Sequence, residues 1–165
     1  MRVIETGTFV LEPQVVAHAE EMFAVLSDPA IYEYENEPPR SVQELRERFA
    51  WLESRRSPDG EQQWLNWVIR VPSGELIGYV QATVFADGRA AIAYVLRSAY
   101  WGRGLASDAV RAMIGELAEQ HGVQRLIAVL KGKNQRSLTL LEGLGFALVV
   151  DERHGDDEIV MEREV

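Results

Sequence analysis

Apolar residues recur at helical spacing in two segments of the first third of the chain. The first spans about residues 15–26, after a short apolar strand at residues 9–11, and a Ser-Asp-Pro sequence ends it. Pro13 fits the start of that helix, where proline is well tolerated. In the second segment, Ser41 and Glu44 form a capping box, which predicts that another helix begins there.

Strand spacing follows in three consecutive segments, at residues 64–71, 76–85 and 90–96. The sequence Pro-Ser-Gly-Glu at residues 72–75 predicts a turn between the first two strands. Asp87-Gly88 predicts a tight hairpin before the third. These segments are therefore expected to form three antiparallel strands.

Helices and strands alternate in the rest of the chain. One helix is predicted directly after residue 106 and ends at Gly122, and another begins at Asn134. Residues 126–130 are continuously apolar, which is typical of a strand buried on both faces. Two more strands are predicted near residues 147–152 and 158–164. The order is strand, two helices, three strands, helix, strand, helix and two strands.

Composition limits the classes of function. At 165 residues, the chain is expected to form one domain over residues 1–165. It has no cysteine, and its histidines (His18, His121 and His154) have no second ligand at metal spacing, so no metal is expected. The amino terminus lacks an apolar export signal, and no apolar run approaches the length of a membrane span. A cytoplasmic protein without a membrane partner is expected.

The charge balance disfavours nucleic acid as a partner. The chain carries 26 acidic and 17 basic residues, a formal charge of −9. Binding to nucleic acid needs a basic face that neutralises phosphates. An acidic surface suits a cationic binding partner such as an amine, and it equally serves solubility without any such partner.

A glycine-containing turn, Trp101-Gly-Arg-Gly-Leu-Ala106, lies between a strand and a helix. Glycine permits positive φ and close approach of a ligand, and the helix directs its free N–H groups and positive dipole end into the turn. This predicts an anion site, most naturally for phosphate or pyrophosphate. The spacing does not fit a phosphate-loop NTPase, because no Gly-Lys-Ser or Gly-Lys-Thr occurs. It does not fit a dinucleotide fold either, because the third small residue comes one position early and the next strand ends in Lys131.

A second segment, Asn134-Gln-Arg-Ser-Leu-Thr-Leu-Leu-Glu-Gly-Leu-Gly-Phe146, follows downstream. Asn134 is a good helix cap, and Gly145 supplies a stop after an apolar stripe. Alone, this segment is an ordinary capped helix. Together and in this order, the two segments resemble the x-x-x-G-x-A and N-x-x-[AS]-x-x-L-x-x-x-x-G-F signatures of the GCN5-related N-acetyltransferase (GNAT) superfamily. The turn is most similar to the branch of ribosomal-protein N-terminal acetyltransferases and their small-amine relatives.

The resemblance covers about residues 7–164 and implies a fold of the α/β (α+β) class, the GNAT fold. This fold has a central, mixed, largely antiparallel twisted sheet of about six to seven strands with helices on both faces. Two parallel strands, here residues 90–96 and 125–130, would splay apart, and acetyl-CoA would lie between them.

The resemblance also assigns residues to the acetyl-CoA site. Backbone amides of the turn would bind the pyrophosphate, and the next residue would begin the helix behind it. Main-chain groups of Val95 and Leu96 would pair with the pantetheine arm and polarise the thioester carbonyl, and Asn134 would bond the pantetheine from the other side. The turn residues concerned are Gly102, Arg103, Gly104, Leu105 and Ala106, with Ser107 beginning the helix.

Two positions depart from the superfamily pattern. A tyrosine often serves as general acid seven residues after the motif asparagine, where this chain has Leu141, and a glutamate often stands where it has Ala91. Ser137 is the substitute acid that the ribosomal branch suggests, although a helix serine making a local backbone bond is the open alternative. The base would be a water held by a carboxylate of the residue 32–39 loop or by the Tyr94 hydroxyl.

The loop at residues 32–39 is predicted to select the acceptor. Carboxylates beside aromatic rings suit a bound cation. Because the glutamates and tyrosines alternate, an extended segment would put the glutamates on one side and the tyrosines on the other. A solvated surface loop is the alternative. The candidate substrate-binding residues are Tyr32, Glu33, Tyr34, Glu35 and Glu37.

The resemblance implies an N-acetyltransferase that moves the acetyl group of acetyl-CoA to a primary amine by direct attack in a ternary complex. The acceptor would be a protein amino terminus or a small-molecule amine, and the resemblance is compatible with a homodimer. Because the chain lacks both the usual tyrosine and the usual glutamate, a non-catalytic acyl-CoA-binding regulatory module stays open as an alternative. Transfer of a longer acyl group also stays open.

Overall fold

The computed structural model describes residues 1–34, 36–149 and 157–165. Their strands form one sheet with the order β1-β2-β3-β4-β5-β6-β8-β7. The strands are β1 Ile4–Glu5, β2 Val10–Pro13, β3 Gln62–Arg70, β4 Leu76–Phe85, β5 Arg89–Leu96, β6 Arg125–Lys131, β7 Ala147–Leu148 and β8 Glu158–Glu164. The α-helices are α1 Ala19–Leu26, α2 Val42–Leu52, α3 Leu105–His121 and α4 Gln135–Gly143.

The predicted order of helices and strands is confirmed, with differences near the amino terminus. The two-residue strand β1, which pairs with β2, is too short to show an apolar pattern. Pro13 does not start a helix, which corrects the prediction. It ends β2 opposite Trp67, and α1 begins only after a 3₁₀ turn at Val16–His18. Of the strand expected at residues 147–152, only Ala147–Leu148 is seen, and residues 150–152 lie outside the described residues.

The sheet opens where its parallel pair separates. All neighbouring strands are antiparallel except β5 and β6, which pair only from Arg89–Ala91 to Arg125–Ile127. Both strands continue beyond these residues without pairing to each other. The expected splay is therefore confirmed, and it leaves backbone groups of β5 facing a cleft.

Apolar side chains pack on both faces of the sheet. Neighbours on one strand point to opposite faces. Thus Trp67 packs with the α3–α4 layer, whereas Val68 packs with the α1–α2 layer. The expectation that residues 126–130 are buried on both faces is wrong, because Val129 is 44% exposed. The α1–α2 cluster draws its strand residues from β3, β4 and β5, so it does not cover β6.

One glycine fixes how β4 meets the end of β5. Gly78 pairs with Leu96, and a Cβ at position 78 would lie 2.1 Å from the carbonyl oxygen of Val95. No side chain fits at that distance, so this close approach of two backbones requires glycine. It shapes β5 at the point where the strand leaves β6.

Candidate active site

The cofactor turn, residues 102–106, leads directly into α3. Gly102 and Gly104 have φ values of 77° and 76°, in the left-handed region that favours glycine. A Cβ at either position would meet no protein atom within 4 Å, so the space over both glycines is open. Helix α3 begins at Leu105, earlier than the expected start at Ser107. Its first N–H groups have no partner within the helix, and its positive dipole end points the same way, so the turn suits a phosphate.

A cavity of about 240 Å³ lies between the end of β5, the cofactor turn, the start of α4 and the segment before α2. It brings together most of the predicted site residues, namely Tyr34, Tyr94, Val95, Leu96, Gly102, Gly104, Leu105, Ala106, Ser107, Asn134 and Ser137. Arg103, Tyr32, Glu33 and Glu37 are not part of its lining, and Glu35 lies outside the described residues. Trp101, the first residue of the glycine-containing turn in the sequence, also lines the cavity. The lining residues that the sequence did not assign to the site are Ile31, Tyr100, Arg136, Thr139 and Leu140.

Two hydroxyl groups meet across the cavity. The Tyr94 hydroxyl, from β5, donates to Ser137 Oγ, from α4, at 2.9 Å. The Asn134 side chain caps α4 by accepting from the Ser137 N–H at 3.2 Å, and Asn134 is buried. The predicted cap is confirmed, and it holds Ser137 in the first turn of α4. Because Ser137 accepts a hydrogen bond from Tyr94, its own hydroxyl proton can point elsewhere.

A stacked pair joins the two sides of the cleft. The Trp101 indole N–H donates to the Leu96 carbonyl at 2.8 Å. The Arg136 guanidinium lies 3.4 Å from the centroid of the Trp101 ring. A cation over an indole face is favourable, and this one sits beside the cofactor turn. Both residues fall inside the two sequence signatures, but only the fold shows that they touch.

A short 3₁₀ turn, Ser98–Tyr100, precedes the cofactor turn and is held by a carboxylate. Glu75 accepts from the Arg97 guanidinium at 2.9 Å and from the Tyr100 hydroxyl at 2.6 Å. The bond to Glu75 raises the pKa of Tyr100. The Arg103 guanidinium lies 5.2 Å from the Tyr100 ring centroid, so the basic side chain of the cofactor turn makes a cation–π contact with a ring that Glu75 holds in place.

The residue 32–39 loop differs from the expected extended segment. Residues Pro29–Glu33 form a 3₁₀ helix, so the predicted alternation is wrong at Tyr32 and Glu33. The Tyr32 hydroxyl donates to the Leu26 carbonyl at 2.5 Å, and burial raises the pKa of Tyr32 to about 12. Tyr34 does line the cavity, and a hydrogen bond with Glu33 raises the pKa of Tyr34. The Glu33 and Glu37 side chains are exposed.

No metal-binding group and no membrane-spanning helix occurs in the part of the chain that the structure describes. It holds no group of three or more histidine or acidic side chains placed to bind a metal ion. His18 instead contacts Glu12 and accepts from the Val15 N–H, and His154 lies outside the described residues. None of the described helices is long and apolar enough to cross a membrane.

Comparison with known proteins agrees with this geometry. A family model described as an acetyltransferase (GNAT) domain matches residues 8–147. A relative from Bacillus licheniformis, uncharacterized N-acetyltransferase p20, is 26% identical over 149 residues, which cover 88% of this chain and 83% of that protein.

Two solved structures share the fold. The first is RimL, a ribosomal L7/L12 alpha-N-protein acetyltransferase in complex with coenzyme A. It matches with a TM-score of 0.83 and 17% identity over 99% of this chain and 98% of its own. The second is the ribosomal-protein-S5-alanine acetyltransferase from Vibrio fischeri. It matches with a TM-score of 0.83 and 17% identity over 98% of this chain and 96% of its own. The fold implied by the sequence resemblance is confirmed.

Proposed function

The chain belongs to the GNAT acetyltransferase family and is an acetyl-CoA-dependent acetyltransferase, and we propose that its acceptor is a primary amine. The observation that carries this proposal is one cavity lined both by the cofactor turn and by the Tyr94–Ser137 hydroxyl pair. The turn suits the phosphates of the cofactor, and the hydroxyls would supply a proton where the thioester would lie. An acyl-CoA-binding module without activity would have no use for the second feature.

The described residues fit acetyl-CoA. The open space over Gly102 and Gly104 would admit a pyrophosphate next to the backbone, and the first N–H groups of α3 would donate to it. Arg136 adds a positive charge at the same edge of the cavity. The β5 backbone at Val95 and Leu96, beyond its pairing with β6, would receive the pantetheine arm. Asn134, on the opposite wall, caps α4 through its side-chain oxygen and would hold that arm through its side-chain NH₂ group.

The reaction needs a neutral amine, a held carbonyl oxygen and a proton for the leaving sulfur. Acetyl-CoA supplies the activated acyl carbon: the amine nitrogen bonds to it, the C–S bond breaks, and the amine loses one proton while the sulfur gains one. Ser137 would donate that proton and take another from Tyr94 across their 2.9 Å hydrogen bond. Tyr94 is the better final donor, because a phenol is a stronger acid than the alcohol of serine.

The wall of the cavity that carries Ile31 and Tyr34 would face the acceptor. Tyr34 lines the cavity, while Glu33 and Glu37, which flank it in sequence, are exposed. These carboxylates would attract a cationic amine and hold the water that removes its proton. Ribosomal proteins appear as acceptors in the names of RimL and the Vibrio fischeri enzyme. These names favour a protein amino terminus over a small-molecule amine as the acceptor for this chain. A ribosomal acceptor would also imply a cytoplasmic location.

A thiol-release assay tests the proposed function. Purified protein and acetyl-CoA should release free thiol when peptides with free amino termini are added, and the same peptides with acetylated amino termini should give none. Small amines form the second arm of the panel. Coenzyme A binding by calorimetry without turnover of any amine would reject the proposal in favour of the regulatory module.

The glutamates of the residue 32–39 loop give a separate prediction. Changing Glu33, Glu35 or Glu37 to glutamine should lower kcat/KM for a cationic acceptor by about two- to fivefold per residue, because each change removes one negative charge from the loop. The loss should shrink at high salt, where such attraction is screened. Glu61→Gln serves as the matched control, because Glu61 is also exposed but directly precedes β3, outside the residue 32–39 loop. Three variants with wild-type kcat/KM at both salt concentrations would show that the loop is ordinary surface.

A further inference from the structure

Asp28 joins two parts of the cavity that are far apart in sequence. Its Oδ1 accepts from the Ala30 N–H at 3.1 Å, which caps the 3₁₀ helix Pro29–Glu33. Its Oδ2 accepts from the Ser98 N–H at 2.7 Å, at the start of the turn that precedes the cofactor turn. One half-buried carboxylate therefore contacts both segments.

Each segment carries residues that line the cavity. The 3₁₀ helix and the residue after it place Ile31 and Tyr34, which we call the acceptor wall. The Ser98–Tyr100 turn places Tyr100 and Trp101 beside the glycines of the cofactor turn. A shift of either segment would thus be transmitted to the other through the Asp28 carboxylate.

Asp28 is held in its charged form. Burial raises the pKa of Asp28, but hydrogen bonds from Ser98 and Ala30 together with the charge of Arg97 outweigh burial and leave the pKa below its ordinary value. A carboxylate can accept both N–H bonds at once, whereas a side-chain amide has only one acceptor oxygen. The double contact therefore depends on an acidic residue at position 28.

We infer that Asp28 is a positioning residue that couples the acceptor wall to the cofactor turn, so that a bound cofactor orders the surface that receives the acceptor. This inference rests on the proposed acceptor side of the cavity. Asp28 does not line the cavity itself, and it acts only through the two backbone segments that it contacts.

Asp28→Ser separates coupling from capping. Serine is a good helix cap and can still accept from the Ala30 N–H, but its shorter side chain cannot also reach Ser98. We expect the melting temperature to fall by a few degrees, because the Ser98 N–H loses a charged acceptor. The coenzyme A affinity should stay within about threefold of wild type, while kcat/KM for the acceptor falls about tenfold through a higher acceptor KM. Asp28→Asn, which can keep either bond but not both, should fall between.

Asp87→Ser is the matched control. Asp87 Oδ1 accepts from the N–H two residues ahead, as Asp28 does, but its other oxygen bonds the side chain of the same residue, Arg89. This variant loses a local carboxylate contact without breaking a bridge, so its kinetics should match wild type. An equal loss in Asp87→Ser would overturn the role assigned to Asp28.

Hydrogen–deuterium exchange tests the coupling without an acceptor. Coenzyme A should slow exchange in peptides covering the cofactor turn and also in those covering residues 29–34. In Asp28→Ser, protection of the cofactor turn should remain and protection of residues 29–34 should be lost. The inference fails if the variant keeps both effects, or if the wild type shows no protection at residues 29–34. Because this measurement needs no turnover, it separates failure of the coupling from failure of the proposed amine acceptor.

Discussion

Gly104→Pro is expected to abolish coenzyme A binding, with an affinity at least about 100-fold lower. Gly104 sits at the start of α3 with a φ of 76°, whereas proline fixes φ near −65° and removes a backbone N–H. The first turn of α3 would have to reorient, and its N–H groups would no longer converge on the phosphates. Isothermal calorimetry on the folded variant measures the loss.

Gly60→Pro is the control for the general destabilisation that proline causes at a positive φ, which here includes loss of the hydrogen bond from the Gly60 N–H to the Ser57 carbonyl at 2.9 Å. Gly60 has the same φ of 76°, also with open space where a Cβ would stand, and it lies in the loop before β3, outside the cavity lining. It should lower the melting temperature by an amount similar to Gly104→Pro and leave the coenzyme A affinity unchanged. A folded Gly104→Pro protein that binds coenzyme A like wild type would exclude the cofactor turn as the phosphate site.

Local features of the site were predictable because short-range interactions decide them. The Asn134 cap uses a bond to a residue three positions ahead, and the positive φ values of Gly102 and Gly104 follow from a tight turn into a helix. The first signature fits within one turn and the start of α3, and the second covers α4 with its two ends. The splay of β5 and β6 was expected only through resemblance, since nothing in the two apolar segments says where their pairing stops.

Contacts between distant segments were not predictable from periodicity. Trp101 and Arg136 fall inside the two sequence signatures, but neither signature shows that they stack, because this contact depends on where the fold places α4 relative to the cofactor turn. Asp28 reads locally as part of a helix stop, although its second bond reaches Ser98. The partial exposure of β6 likewise depends on where α1 and α2 pack, which the apolar run of that strand does not encode.

Ser137→Ala is expected to lower kcat by about 100-fold with little change in the KM for acetyl-CoA, because a positioned proton donor contributes about that factor or more. Tyr94→Phe should cause a smaller loss, about tenfold, since Ser137 would still contact the leaving sulfur but lose the donor behind it. Thr139→Val is the control, because Thr139 also places a hydroxyl-bearing residue of α4 in the cavity lining. Its kcat should stay within about twofold of wild type.

The double variant decides whether the two hydroxyls act in series. If Tyr94 supplies its proton only through Ser137, removing both should be no worse than removing Ser137 alone, because residues that act as one unit are not additive. Losses that multiply would instead assign Tyr94 an independent role, such as holding the water that takes the proton of the amine. If Ser137→Ala lowers the melting temperature and leaves kcat intact, Ser137 only supports α4. The proton for the leaving sulfur would then come from solvent, through the open side of the cavity.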